Sequence, residues 1–299
     1  MDRLQTMGVF VAVAEEAGFA PAARRLNMSP PTVTRAVSEL ETRLGCRLLH
    51  RTTRLVRLTE AGERYLADCR RILGEIEDAD RQAAGLHAAP RGLVTVTASV
   101  VFGRVILTPM LLDLLERYPE IEVSTLFVDR VVHLVDEGID VAIRIAELPD
   151  STLTATRVGS VRRVLCAAPG YLAARGRPDT PAELAEHELI NFVNMTRGGD
   201  WDLWQDGKPL NVRPSSRLVM NIADAAIDAA VSGRGITRVL SYMIAPHLAD
   251  GRLEVVLADY EPPAVPIHVV HKEAGQASAR VRAVVDHLVQ RLRRHPAIA

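Results

Sequence analysis

Over the first ninety or so residues, apolar positions recur at helical spacing; beyond about residue 91 they fall in short blocks of another kind. Leu4, Met7, Val11 and Ala14 lie three or four apart and predict an amphipathic helix over residues 3–16, stopped by the glycine of "EEAGF". A short helix is predicted over about 21–26, with Ala22, Ala23 and Leu26 inward; the alanines allow close approach of another helix. After the turn "NMS", Ser29 is an N-cap, because its hydroxyl can accept a first-turn N–H. Pro30 takes the first helical position, where no donor is needed and its fixed φ helps, and Pro31 also lies in the first turn. The third helix places Val33, Val37, Leu40 and Leu44 in one stripe, with Thr32, Thr34, Arg35 and Ser38 elsewhere near its start. After Gly45, "RLLHRTTRLVRLT" predicts two short strands around "RTTR", anchored by Leu55 and Leu58.

Thr59 can cap a long helix in which Tyr65, Cys69, Ile72, Ile76, Ala79, Ala83 and Leu86 follow steps of 4, 3, 4, 3, 4 and 3. That is the spacing of a coiled-coil seam between two copies. The alternative is a helix packed on its own domain, and Leu66 and Leu73 widen the stripe enough to hold one. "HAAPRG" (87–92) ends the helix and reads as a hinge. Strands and helices then alternate. "GLVTVTA", "IEVSTLFV", "DVAIRIA", "RVLCAAP", "ITRVLS", "RLEVVLA" and "PIHVVHK" are predicted strands. Pro109–Tyr118, "VVHLVDEG", "ADAAIDAAVSGRG" and about 278–293 are predicted helices. Such alternation implies mainly parallel sheets covered on both faces, with ligands beyond the carboxyl ends of the strands.

At 299 residues the chain is long enough for two or more domains, and 48% hydrophobic residues suffice for their cores. No apolar run approaches the ~20 residues of a membrane span. The N-terminus lacks the basic, apolar and small-residue succession of a secretion signal, so the protein is expected in the cytoplasm. Cys46, Cys69 and Cys166 are too scattered for a disulfide framework or a metal site. The net charge of −1 hides an asymmetry: Arg43, Arg47, Arg51, Arg54 and Arg57 fall within residues 42–59, which contain no acid. A local basic stripe in a neutral chain suits a polyanion, although a solvated face is the bland alternative.

A short helix, a three-residue turn and a helix that begins with small polar residues and an arginine form a helix-turn-helix, whose second helix enters the major groove. Two helices joined by a short turn occur in many helical domains. The basic hairpin that follows discriminates, because it reads as a wing reaching the phosphate backbone or minor groove. Catalytic signatures are missing: no phosphate-binding or dinucleotide glycine motif and no G-x-S-x-G elbow occur, and the glycines of "GRGITR" follow a helix. His268 and His271, three apart in a strand, face opposite sides and cannot share a metal. No catalytic residue, metal or cofactor is therefore assigned.

The stretches "FVAVAEEAGFAPAARRLNMSPPTVTRAVSELETRLGCRLLHRTTRLVRLTEAG", "RVLCAAPGYL", "AAVSGRGI" and "VRAVVDHLVQRL" closely resemble LysR-type transcriptional regulators over the whole length. The resemblance implies a winged helix-turn-helix domain (1–60), a linker helix for dimerisation (61–88) and an α/β effector domain (91–299) with the fold of type 2 periplasmic binding proteins. It divides that domain into lobe I (91–162 plus 267–299) and lobe II (163–266). It implies no enzymatic activity. The implied partners are double-stranded operator DNA, a small-molecule effector held between the lobes, and further copies of the chain as a dimer or dimer of dimers. DNA-contacting positions would be Ser29, Pro30, Pro31, Thr32, Thr34, Arg35 and Ser38 on the helix and Arg51, Thr52, Thr53 and Arg54 on the wing. Many members have glutamine at the place of Pro30, so one contact is expected to be absent here. Effector-contacting positions would be Ser99, Phe102, Phe127, Arg130, Arg144 and Ala146 from lobe I, and Asn194, Thr196, Arg197, Asn221, Thr237 and Arg238 from lobe II. Ser99, between a strand and a helix, would hold an anion with nearby N–H groups. Arg238 stands where the family usually has an apolar residue; it would pair with a carboxylate effector or else form a surface or lobe-closing salt bridge. A solute-binding protein of the same fold, and a metabolic enzyme on an α/β domain, are the competing readings.

Overall fold

The computed structural model describes residues 1–298 except 52–55, 84–88, 150–152, 194–199, 214 and 273–277, and omits the side chains of 51, 75, 78, 79 and 81–83. Residues 1–93 with 278–280 form one compact unit, and 94–277 with 281–299 form another.

In the first unit, helix α1 (Arg3–Glu15) starts in a capping box: the Asp2 carboxylate accepts the Gln5 N–H at 2.7 Å, and the Gln5 side chain accepts the Asp2 N–H. Its inner face differs from the expected stripe. Thr6, Met7, Val9, Phe10, Ala12 and Val13 are buried, whereas Leu4 is exposed and Val11 and Ala14 are half-buried. The helix contacts α2 (Phe19–Arg25) and α3 (Pro30–Leu44) as well as α4 (Glu60–Ala83), so two faces are covered and a single stripe misjudges the centre. Asn27, at φ 53°, makes the turn into α3, and the Ser29 hydroxyl accepts the Thr32 N–H at 3.3 Å. Val33, Ala36, Val37 and Leu40 are buried, and Gly45, at φ 69°, ends the helix in the left-handed conformation. Strands β1 (Leu49–Arg51) and β2 (Val56–Leu58) pair antiparallel, with Leu49 opposite Leu58; the wing tip, including the anchor expected at Leu55, lies outside the described residues.

Along the first half of the expected seam of α4, the stripe also meets its own unit, with Cys69 fully buried and its neighbours half-buried. Tyr65, Cys69 and Ile72, with Leu66 and Leu73, pack into the core of their own unit, and the Tyr65 ring lies 5.8 Å from that of Phe10. Beyond Ile76, which is half-buried, Ala79, Ala83 and Leu86 lie outside the described side chains.

The second unit contains two five-stranded sheets. One has the order β4-β3-β5-β14-β6, from β3 (Gly92–Ala98), β4 (Ile121–Phe127), β5 (Val141–Ile145), β6 (Thr154–Val161) and β14 (Val265–His271). The other has the order β11-β8-β12-β7-β13, from β7 (Arg163–Ala167), β8 (Leu189–Phe192), β11 (Leu218–Met220), β12 (Ile236–Leu240) and β13 (Glu254–Val256). A hairpin of β9 (Trp201–Gln205) and β10 (Lys208–Val212) stands beside the second sheet. Helices α5 (Val100–Phe102), α6 (Thr108–Arg117), α7 (Pro169–Arg175), α8 (Ala223–Val231), α9 (Ser241–Ala249) and α10 (Ala279–Leu292) accompany them, and a π-helical turn over Gly103–Leu107 joins α5 to α6. The expectation of mainly parallel sheets is corrected. β3 pairs parallel with β5, and β8 with β11 and β12; β14 runs antiparallel to β5 and β6, and β7 antiparallel to β12 and β13. The chain switches sheets twice, after β6 and before β14, and the returning strand β14 inserts antiparallel between β5 and β6, which precede it in the chain. At the crossing the Ser241 N–H donates to the Arg162 carbonyl at 2.9 Å, and the Arg162 guanidinium pairs with Glu261 at 3.0 Å.

The helix expected in "VVHLVDEG" is absent. Residues 128–140 form a turn-rich loop closed by Arg130, whose two terminal nitrogens reach both Glu137 oxygens at 2.8 and 2.5 Å. Val132, Leu134 and Ile139 bury in a small core of their own, so helix-like spacing here records burial beneath a stapled loop. The short segments α7 and α9, strand β6, and the strands from β8 to β11 were not anticipated.

Burial separates the three thiols. Cys46 is exposed, whereas burial pushes the Cys69 thiol up to about 11 and that of Cys166 up to about 12. Because the thiolate is the nucleophile, iodoacetamide at pH 8 should alkylate Cys46 alone in the native chain and all three after denaturation, as read by intact-mass spectrometry.

Candidate functional site

On α3 the first two turns present Ser29, Pro30, Pro31, Thr32, Thr34 and Arg35 to solvent, with Ser38 half-buried behind them. The hydroxyls of Ser29 and Thr32 share a hydrogen bond of 2.7 Å, and the Thr34 hydroxyl donates to the Pro30 carbonyl at 3.0 Å. Thr34 therefore offers solvent its oxygen lone pairs and its methyl group. Arg35 donates from Nε to the Glu39 carboxylate at 2.7 Å, and its side chain is 82% exposed. That contact orients the guanidinium and leaves its terminal nitrogens outward, the fork that suits guanine or a phosphate. The same guanidinium lowers the Glu39 carboxyl from its ordinary value. Glu39 is a positioning residue not singled out in the sequence, although its four-residue spacing from Arg35 is the available signal.

Two further contacts fix the wing stem. The Glu41 carboxylate accepts the N–H groups of Leu48 and Leu49 at 2.9 and 3.1 Å. Thr59 accepts the Gly62 N–H at 3.0 Å, capping α4, and donates to the Arg47 carbonyl at 2.7 Å. His50 and Arg57 pair across the stem and are exposed. The side chain of Arg51, and Thr52, Thr53 and Arg54 entirely, lie outside the described residues.

Between the two sheets of the second unit lies a cavity of about 330 Å³. Of the expected positions, Ser99, Arg130, Arg144 and Ala146 line it from the first sheet and Arg238 from the second. Four others do not. Phe102 is fully buried, edge-on to Tyr242 with centroids 5.2 Å apart. Phe127 fills the space beside Gly103, where an added Cβ would come within 2.4 Å of its ring. Thr237 is fully buried and donates to the Ile190 carbonyl at 2.9 Å, because strand alternation turns it away from the face that carries Arg238. Asn221 is exposed just beyond the edge strand β11 and does not line the cavity. Asn194, Thr196 and Arg197 lie outside the described residues.

The cavity's charges are unequal in their availability. Arg130 is engaged by Glu137, whose carboxyl that guanidinium pulls down to about 2. The N–H after Ser99, expected to help hold an anion, is already taken: the Asp129 carboxylate accepts it from Val100 at 3.0 Å. Arg144 donates from Nη2 to the Val132 carbonyl at 2.5 Å, and its buried Nε has no hydrogen-bond partner among the described residues. Arg238 donates to the carbonyls of Asp200 and Asp202 at 3.1 and 3.4 Å. Burial pulls its guanidinium down to about 10. The Asp202 carboxylate partly offsets that burial, and among the described residues the guanidinium's hydrogen bonds go to neutral carbonyls, so it can still take an anion. Asp129, Arg163, Phe192, Leu240 and Met243 also line the cavity. Only the strand alternation that places Leu240 on the same face as Arg238 was a signal for any of them. Among the described residues no group of histidines, cysteines and carboxylates is placed to hold a metal, and no helix is long and apolar enough to cross a membrane.

Two family descriptions match the chain: "Bacterial regulatory helix-turn-helix protein, lysR family" over residues 4–63 and "LysR substrate binding domain" over 87–293. An HTH-type transcriptional regulator of Xanthomonas campestris pv. campestris is 36% identical over 288 residues, 95% of this chain and 84% of the relative. The structure of CrgA, a LysR-type transcriptional regulator from Neisseria meningitidis, is similar with a TM-score of 0.62 at 31% identity, covering 96% of this chain and 98% of that one. The full-length structure of the Vibrio cholerae virulence activator AphB is similar with a TM-score of 0.62 at 26% identity, covering 97% and 99%.

Proposed function

The chain belongs to the LysR family of bacterial transcriptional regulators, DNA-binding proteins with an effector domain and no enzymatic activity, and from that premise we propose how its own residues carry out the work. Helix α3 enters the major groove and reads base edges with Thr32, Thr34, Arg35 and Ser38. Ser29, Pro30 and Pro31 lie at the groove's rim, and Arg51, Thr52, Thr53 and Arg54 of the wing grip the backbone. Members of the family form oligomers; this chain acts in the cytoplasm as a dimer or a dimer of dimers, one winged module per half-site. The functional division is residues 1–60 for DNA, 61–88 for the linker, and 91–299 for the effector, with lobes 91–162 plus 267–299 and 163–266. A small anion held between the lobes by Ser99, Arg144 and Arg238 shifts the arrangement of the modules through its differential affinity for the two states.

The observation that carries the reading is the exposed cluster at the start of α3, where Arg35 is pinned through Nε alone and keeps its terminal nitrogens outward. Operator fragments selected with the full chain from its own genome supply the test. Arg35→Ala should weaken binding to them about tenfold or more, since a good arginine–base pair contributes about 1–3 kcal/mol. Arg54→Ala should weaken all sequences alike and reduce the salt slope by about one. Unchanged affinity for Arg35→Ala in fluorescence anisotropy overturns the recognition-helix assignment.

A further inference from the structure

The charges lining the cavity specify its ligand more closely. Among the described residues, four arginines, Arg130, Arg144, Arg163 and Arg238, line it with one acid, Asp129. Arg130 is already matched by Glu137 outside the cavity. Arg144 and Arg238 meet backbone carbonyls and, among the described residues, have no carboxylate at ion-pair distance. A carbonyl satisfies an N–H but does not cancel a charge, so each keeps a full cation at the cavity wall. They stand on different sheets: Arg144 is on β5, and Arg238 is on β12. The wall also carries Val128, Val132, Leu240 and Met243, an apolar setting for a carbon skeleton. One carboxylate on one wall would leave the other cation unmatched.

We infer that the effector is a small dianion, with one carboxylate on Arg144 and the other on Arg238, its carbon skeleton lying along the apolar wall. The inference rests on the reading of this cavity as the effector site. A ligand of this kind ties one sheet to the other, so its binding energy falls on the closed arrangement of the lobes. The volume of about 330 Å³ lies at the small end of ligand cavities and suits a compact molecule.

Calorimetric titration of the full-length protein tests this with three matched pairs at one pH and ionic strength: succinate against butyrate, adipate against hexanoate, and phthalate against benzoate. At least one dicarboxylate should bind tighter than its matched monocarboxylate by about tenfold to a hundredfold, the range of an added charge-assisted bidentate contact. Arg144→Gln and Arg238→Gln should each reduce that ratio to within about threefold, whereas Arg238→Lys, which keeps the charge, should preserve part of it. Circular dichroism establishes that each variant is folded. If monocarboxylates bind, lose affinity on Arg238→Gln, and are equalled by their dicarboxylates, the dianion inference falls and the anionic cavity stands. If none of the six binds, both fall.

Discussion

Gly62→Ala is expected to destabilise the winged module by about 3 kcal/mol or more, toward the upper end of the cost of overpacking. A Cβ on Gly62 would lie 2.0 Å from the carbonyl oxygen of Leu48 and 3.2 Å from the Leu58 side chain. The first obstacle is backbone, which cannot turn aside as a side chain does. The same carbonyl accepts the Thr59 N–H at 2.9 Å, and the Leu48 N–H is held by Glu41. Relief would therefore have to break the cap of α4 or displace the wing stem. For a unit of this size the loss corresponds to a fall in Tm of roughly 12–24 °C. Both tryptophans, Trp201 and Trp204, lie in the effector domain. Calorimetry should therefore show the module's transition moving down while the tryptophan-fluorescence transition stays in place. Operator binding at 37 °C should fall with the first transition.

The second large effect belongs to Trp201→Ala, expected to cost the effector domain about 3–5 kcal/mol, the usual range for emptying a buried aromatic site. Trp201 is 1% exposed, and its ring N–H donates to the buried Asn191 side chain at 3.2 Å. Trp201→Phe removes that bond while filling most of the space, and should cost about 1–2 kcal/mol. The substitution also reaches the ligand. Trp201 sits between Asp200 and Asp202, the two residues whose carbonyls hold the Arg238 guanidinium. Loosening the hairpin should thus weaken anion binding beyond what the stability loss explains. Trp204 remains as the fluorescent reporter for the melt, and calorimetry with the tightest of the six acids reads the binding.

What was legible in the sequence follows from where its determinants lie. Helix α3 is written locally: Ser29 caps it, Pro30 opens it, Gly45 closes it, and the spacing of Val33, Val37 and Leu40 sets its inner face. The side of α1 that would be buried was not legible, because a helix apolar nearly all round gives no single stripe and its neighbours decide. In the cavity, Arg238 was reachable and Thr237 was misjudged for one reason: a strand alternates, and one position of error turns a lining residue into a core residue. Arg130 lines the cavity, yet its availability depends on Glu137 and on a loop whose valine and leucine spacing imitates a helix. The mixed strand directions were least accessible, since they arise from segments about a hundred residues apart returning to the same sheet.

The placement of β14 between β5 and β6 sets an order of events on the ribosome. β6 is the outermost strand of its sheet, and β14 is its neighbour there. It is synthesised by residue 161, but that neighbour begins at residue 265. At ~5–20 residues per second the intervening stretch takes roughly 5–20 s to appear. Throughout that interval the nascent chain carries β6 with no native strand beside it, the kind of unpaired edge that invites pairing with another polypeptide. Chains interrupted before residue 265 should accordingly collect in the insoluble fraction or on chaperones, even though the elements of the winged module have already been made.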